Sequence, residues 1–191
     1  MREVDHRVQN SLQMVSSFLG MQARMIEDQT TVDHINEARS RLAAVALVHR
    51  RLYSDDHAKA VDLARYLGEL CREILSSIDT GWQEQLNIDL TPVLMVADRA
   101  INVGLVFAEL IMNANKYAYG GLPGPLSIVL EQHQGSFRLI VSDHGSGKRE
   151  PGSGFGTKML NSIVTSLGGG MEEGDNLPGL RVVVTAPIVQ G

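Results

Sequence analysis

Glu109, Asn113 and Lys116 fall at i, i+4 and i+7 of the run Glu109-Leu-Ile-Met-Asn113-Ala-Asn-Lys116-Tyr117-Ala-Tyr119. On a helix this spacing projects a carboxylate, a carboxamide and an ammonium from one face. An Asn oxygen is a hard, neutral ligand for Mg²⁺, and a Lys amine neutralises phosphate oxygens. A carboxylate beside them can orient metal-bound water without ligating the metal. The set suits a magnesium-bound triphosphate. Two glycine-bearing turns follow in order, Asp143-His-Gly145-Ser-Gly147 and Gly154-Phe-Gly156-Thr157-Lys158. Each alone is weak, since Asp-x-Gly-x-Gly is most often just a turn. Three motifs in compatible order, on a helix, a post-strand turn and a pre-helix loop, read together as an ATP site.

Those motifs need a scaffold, and the hydropathy pattern supplies one in two unlike parts. Val4, Val8, Leu12, Val15, Leu19 and Ile26 keep helical spacing, and Val32, Ile35, Ala38, Leu42, Val45, Val48 and Leu52 repeat it. Thr30-Thr-Val-Asp33 resembles a capping box at the start of the second helix. About five residues join the two stripes, so the helices are expected to be antiparallel neighbours. A hairpin this narrow cannot bury its own stripe, which predicts a homodimer closing a four-helix bundle. Ser54-Asp-Asp-His57 interrupts the pattern and marks the boundary, giving domains 1–57 and 58–191. Beyond it, helical periodicity returns from Val61 to about Ser77 and again from Ala97 to about Ala118. Leu86–Leu90, Leu126–Leu130, Phe137–Ser142 and Arg181–Pro187 read as strands. The fold class is α+β: a helical hairpin followed by an α/β sandwich.

Composition narrows the partners. The 191 residues are 43% hydrophobic with a net charge of −5, and no basic block is present, so neither nucleic acid nor an anionic membrane is favoured. No apolar run approaches the roughly 18 residues that a span requires. Cys71 is the single cysteine, which excludes an internal disulfide and fits a reducing compartment. No secretory signal follows Met1, and the expected location is cytoplasmic. The histidines show no metal-binding spacing.

The second part resembles the ATP-binding domain of sensor histidine kinases, a fold shared with gyrase and related chaperone and mismatch-repair ATPases. The resemblance covers roughly residues 60 to 190. It implies that Asn113 holds Mg²⁺, that Lys116 and its neighbour Tyr117 meet the nucleotide, and that Glu109 positions water or a proton. It also implies that Asp143 reads adenine while Gly145 and Gly147 let the backbone approach the ring, and that Gly154, Gly156, Thr157 and Lys158 face phosphate. The family often has Gly-Thr before its last strand, whereas here Gly179 is followed by Leu180; Thr185 is the substitute to consider.

The first part resembles the phosphorylation helix of one histidine-kinase subfamily, whose box reads approximately His-Arg-Val-Lys-Asn-x-Leu-Gln. This chain has His6-Arg-Val-Gln-Asn10-Ser-Leu-Gln13, with Gln9 in place of the Lys. His6 lies two residues from both Val4 and Val8, about 200° around a helix from each, and so faces away from the apolar stripe. Asp5 is the preferred base. The expected activity is ATP-dependent autophosphorylation on His6, followed by transfer to an aspartate of a response-regulator receiver domain. An upstream sensor module is expected to be missing from the chain. The alternatives are a phosphotransfer adaptor with a degenerate ATP domain, and a serine/threonine kinase or ATPase of the same superfamily.

Overall fold

The computed structural model describes residues 2–53, 60–146 and 155–189, with the side chains of 2–10, 37, 40, 49–53 and 155 outside the description. The chain divides into two compact units, Met1–His57 and Ala58–Gly191.

The first unit is a pair of helices, α1 (Arg2–Ala23) and α2 (Gln29–Tyr53), packed side by side across a five-residue connection. α2 starts earlier than the Thr30 capping box implied. Asp28 is the cap: its carboxylate accepts the Thr31 backbone N–H at 2.8 Å and the Thr31 hydroxyl at 2.6 Å. These bonds, the hydroxyl's foremost, hold the Asp28 pKa below its ordinary 3.8. Asp33 instead lies one turn into the helix, where it accepts from Gln29 Nε2 at 2.7 Å. Leu12, Leu19 and Ile26 are half-buried within the pair, but Val15 from the same predicted stripe is exposed. A second apolar row, Met14, Phe18 and Met21, runs along α1 at helical spacing and continues to Met25 in the turn beyond it, exposed throughout, Met14 by 71% and Phe18 by 55%. α1 therefore carries an apolar arc wider than its contact with α2 can cover.

The second unit is a two-layer sandwich. Its five-stranded sheet has the order β2 (Leu86–Leu90), β4 (Leu126–His133), β5 (Ser136–Asp143), β7 (Leu180–Pro187), β6 (Gly170–Asp175), and the short strands β1 (Val61–Asp62) and β3 (Leu94–Met95) pair with each other in a separate ribbon. β2 runs parallel to β4, and the remaining pairs are antiparallel. Register rows such as Ile128–Val141–Val182 and Leu130–Leu139–Val184 put buried residues on one face. The alternation of Phe137, Leu139 and Val141 continues to Asp143, so the pleat alone turns that carboxylate toward the covered side.

Three helices cover that face. α3 (Leu63–Ile78) lies by β2, α6 (Phe155–Ser166) by β6, and α5 (Ala97–Asn113) packs against both helices. Asp62 caps α3 by accepting from the Ala64 and Arg65 amides at 3.0 and 3.4 Å. Leu63, Leu67, Leu70 and Ile74 of α3 are buried, at about 1.5–3 kcal/mol for each large side chain. Gly104 of α5 admits the Tyr66 phenol, whose oxygen would lie 2.1 Å from any added Cβ. Cys71 is fully buried, and burial pushes its thiol up to about 12, which leaves it unreactive. The one-turn helix α4 (Trp82–Gln85) seats Trp82 in the core.

Candidate active site

α5 carries the first motif, and its start is fixed from inside the sandwich. The buried Arg99 donates through Nη2 to the carbonyls of Leu167 at 2.8 Å and Pro187 at 2.5 Å, which tie the helix to the end of α6 and to the last strand. From there α5 runs to Asn113, with Glu109 buried and Asn113 half-buried one turn apart on the same face.

Lys116 departs from the expected register. The helix widens into a π turn over Ala114–Ala118, where i→i+5 bonding winds the chain less per residue than an α-helix does. Lys116 consequently lags behind the i+7 position. It is exposed, with its ammonium 4.9 Å from the centroid of the Tyr117 ring. A cation over an exposed ring is held by about 0.5–1 kcal/mol. Tyr117 is itself 60% exposed, so both groups stand in solvent where a phosphate or base could reach them.

The second motif leaves the end of β5. Asp143 is 6% exposed, and its Oδ1 accepts the amides of Gly145 at 3.0 Å and Leu180 at 3.2 Å. Its backbone carbonyl accepts from Asn176 Nδ2 at 2.7 Å. Two glycines make this packing feasible. A Cβ on Gly145 would lie 2.4 Å from the Ala118 carbonyl oxygen, and one on Gly179 would lie 2.0 Å from that of Asp143. Gly179 also has φ +113, a backbone state that side chains strongly disfavour. The Asp143 turn is thus clamped between the β6–β7 connection and the end of the π turn. Leu180 meets Asp143 through its amide, a contact that needs no particular side chain. Thr185 is no substitute for the missing threonine: it sits on the exposed face of β7, opposite Arg138 and well along the sheet from Asp143.

Tyr119 links the two motifs a second time. Its hydroxyl accepts the His144 amide at 2.8 Å and donates to the Pro125 carbonyl. Its ring stands edge-on to Trp82, with centroids 5.7 Å apart at 72°, and lies over Gly124, where a Cβ would meet it at 2.2 Å. Burial raises the Tyr119 pKa above its ordinary 10, and the neighbouring Asp143 charge adds to this against the opposing His144 hydrogen bond. Asn176, Tyr119 and Leu180 were not among the sequence candidates. Tyr119 lies in the same run as Lys116; Asn176 acts through its side-chain carboxamide from a distant connection that no sequence motif marks, and Leu180 through a backbone amide, for which residue type gives no signal.

Gly147 and Gly154 lie outside the described residues. Gly156 is buried in the first turn of α6, which begins at Phe155; Thr157 is half-buried and Lys158 exposed. Gly156 is therefore a helix residue at the positive end of α6. His6 and Asp5 lie on the α1 backbone with their side chains outside the description. A cavity of about 510 Å³ borders the Asp143 turn, lined by Ser146, Glu173, Asp175, Leu177, Pro178 and Leu180 among others. Neither Asn113 nor Lys116 lines it, so it adjoins the motif cluster from the β6–β7 side.

A magnesium nucleotide fits what is present. No cluster of three His, Cys, Asp or Glu side chains forms a protein cage for a metal among the described residues. One Asn oxygen with a buried carboxylate behind it instead suits Mg²⁺ that keeps phosphate and water ligands. With Oδ1 of Asp143 occupied by amides, Oδ2 is the oxygen left to receive a base amine.

Known proteins place these features in context. A family model described as histidine kinase matches residues 3–78, and one described as histidine kinase-like ATPase domain matches residues 88–171. The chain is 29% identical over 200 residues to the sensor histidine kinase PdtaS of Mycolicibacterium smegmatis, covering 98% of this chain and 39% of that protein. It is 26% identical over 201 residues to blue-light-activated histidine kinase 2 of Erythrobacter litoralis, covering 98% of this chain and 57% of the relative. The chain thus spans well under two thirds of the length of these relatives. Its fold matches that of a histidine kinase domain from Erythrobacter litoralis with a TM-score of 0.68 at 22% identity, over 98% of this chain and 90% of the other.

Proposed function

Because this chain belongs to the histidine kinases, matching their helical and ATPase models in tandem, we propose that it is an ATP-dependent protein-histidine kinase core that phosphorylates itself on His6. The observation that carries the reading is the seating of Gly145 against Ala118. It joins the turn suited to a purine amine to the helix end that bears Asn113 and Lys116. Asp143 would read the exocyclic amine of adenine through Oδ2. Asn113 would hold Mg²⁺, with Glu109 orienting its water; the ion, when bound, neutralises phosphate oxygens. Lys116, Tyr117, Lys158 and Thr157 are the groups available to the triphosphate, together with the Gly147–Gly156 segment.

In the transfer itself, one ring nitrogen of His6 forms a bond to the γ-phosphorus while the bond to the β,γ-bridging oxygen breaks and ADP leaves. Asp5 accepts the proton from the other ring nitrogen or fixes its tautomer. Little covalent help is required, since phosphoryl transfer depends mostly on alignment and charge. The phosphoryl group then passes to an aspartate of a response-regulator receiver domain. The exposed row Met14, Phe18, Met21 and Met25 supports a homodimer through the hairpin. Among the described residues no helix is long and apolar enough to cross a membrane.

A degenerate adaptor would bind no nucleotide, and the hydrogen bonds that hold Asp143, His144 and Gly145 in place argue against that reading. Incubation with γ-labelled ATP and Mg²⁺ tests the proposal. Label that survives alkali, is lost in acid and is absent from His6→Gln supports it. Acid-stable label, or label retained by His6→Gln, refutes it.

A further inference from the structure

The hydroxyl of Tyr119 occupies a position that packing alone does not require. The ring is already fixed on two sides, by Trp82 and by the glycine surface at residue 124. Its oxygen reaches past this pocket to two backbone groups from different segments. It donates to the Pro125 carbonyl at the start of β4 and accepts the His144 amide, the N–H directly following Asp143. The next amide, Gly145 N–H, turns back onto Asp143 Oδ1. Two consecutive amides of the turn are therefore held in place, one by the carboxylate and one by the phenol. A hydroxyl has one proton to give and lone pairs to accept with, so both Tyr119 bonds form at once. A phenol keeps that proton at neutral pH.

We propose that Tyr119 is a positioning residue for base recognition: by anchoring the His144 amide to the end of the π turn, it sets the direction in which Asp143 Oδ2 meets the adenine amine. The inference rests on the reading of the Asp143 turn as the adenine site. Removing the hydroxyl leaves the ring packed over Gly124 and frees the His144 amide, so the turn gains freedom at the residue next to its recognition group. The groups proposed for the metal and the triphosphate on α5, the π turn and α6, namely Asn113, Lys116, Tyr117, Thr157 and Lys158, make neither of the two bonds that this change removes. The effect should therefore fall on base discrimination, not on nucleotide binding in general.

Titration of the full chain and its Tyr119→Phe variant with ATP and with GTP, both in Mg²⁺, separates these cases. The variant should lose about tenfold in ATP affinity, because the freed His144 amide must be reordered on binding, while its GTP affinity changes less than twofold. The preference for ATP over GTP then falls by about the same tenfold factor. A merely structural role would weaken both nucleotides in proportion, and that outcome overturns the proposal. An unchanged ATP preference overturns it equally. A wild-type chain that binds ATP no better than GTP overturns the adenine reading itself, and the inference with it. Hydrogen exchange at the His144 amide of the wild type is independent of the variant's folding. Protection in the free protein that deepens on ATP binding supports the anchor, and exchange at the rate of an open loop removes it.

Discussion

The two units of this chain handle apolar surface in opposite ways. In Ala58–Gly191 nearly every large apolar side chain of the helices α3 and α5 and of the central strands is buried, down to Trp82, Phe107 and Phe137 at zero exposure. In the helical hairpin the buried apolar residues among those described are small, Ala23, Ala44 and Val48, while Met14, Phe18, Met21 and Met25 are exposed. One unit closes its core with its own residues, whereas the other leaves an apolar row for something else to cover. A sheet covered by helices makes a rigid frame for fixed recognition groups. A helix pair with an uncovered side has apolar surface available to a partner, and in the proposed homodimer its stability would depend on concentration.

This contrast can be broken most directly in the sandwich. Trp82→Ala should cost about 3–5 kcal/mol of its stability, read by denaturant unfolding of that unit. A cost near zero would mean that the sandwich core is looser than its burial implies. Next in size, Gly179→Ala forces a side chain into φ +113 and against the Asp143 carbonyl, and should cost about 2–3 kcal/mol while weakening nucleotide binding. Unaltered binding there would detach the clamp from recognition.

The hairpin gives the smaller effects. Phe18→Ser should leave a diluted monomer within about 0.5 kcal/mol of the parent, yet raise the dimer dissociation constant about tenfold or more in light scattering. If association is indifferent to that change, the exposed row is not the pairing surface. Smallest is a pH effect at the α2 cap. Since hydrogen bonds from Thr31 hold the folded Asp28 pKa below 3.8, the cap's contribution is complete above that value. It is lost as pH falls through the depressed folded value. Helical circular dichroism of the hairpin should decline in that range, and Asp28→Asn should remove the dependence.

Much of this architecture is legible in the sequence, for identifiable reasons. Helical spacing at Leu63, Leu67, Leu70 and Ile74 and alternation along β2, β4 and β5 reflect one-sided burial, the strongest pattern available. Asp143 was readable as a turn residue from its glycines, and the sheet pleat makes it an inward group as well. What was not legible has a common cause. The π turn after Asn113, the cap by Asp28 in place of Thr30, and the pairing of Leu180 with Asp143 all depend on where particular backbone amides come to lie. Side-chain type constrains these only weakly. Val15 was misplaced because α1 is apolar over so wide an arc that spacing alone cannot say which part meets α2. Thr185 failed for a simpler reason: its parity along β7 turns it outward.

The widened turn at Ala114–Ala118 makes chain length, not composition, the determinant of where the following residues point. A turn closed by five-residue steps contains one residue more than an α-helical turn would use. Removing a single alanine there would let the ordinary helix run on with Tyr119 still pointing nearly the same way, whereas winding all five residues as α-helix would swing the phenol by roughly 90° about the axis. The segment can therefore give up its widened turn only together with one residue if the phenol is to keep facing His144.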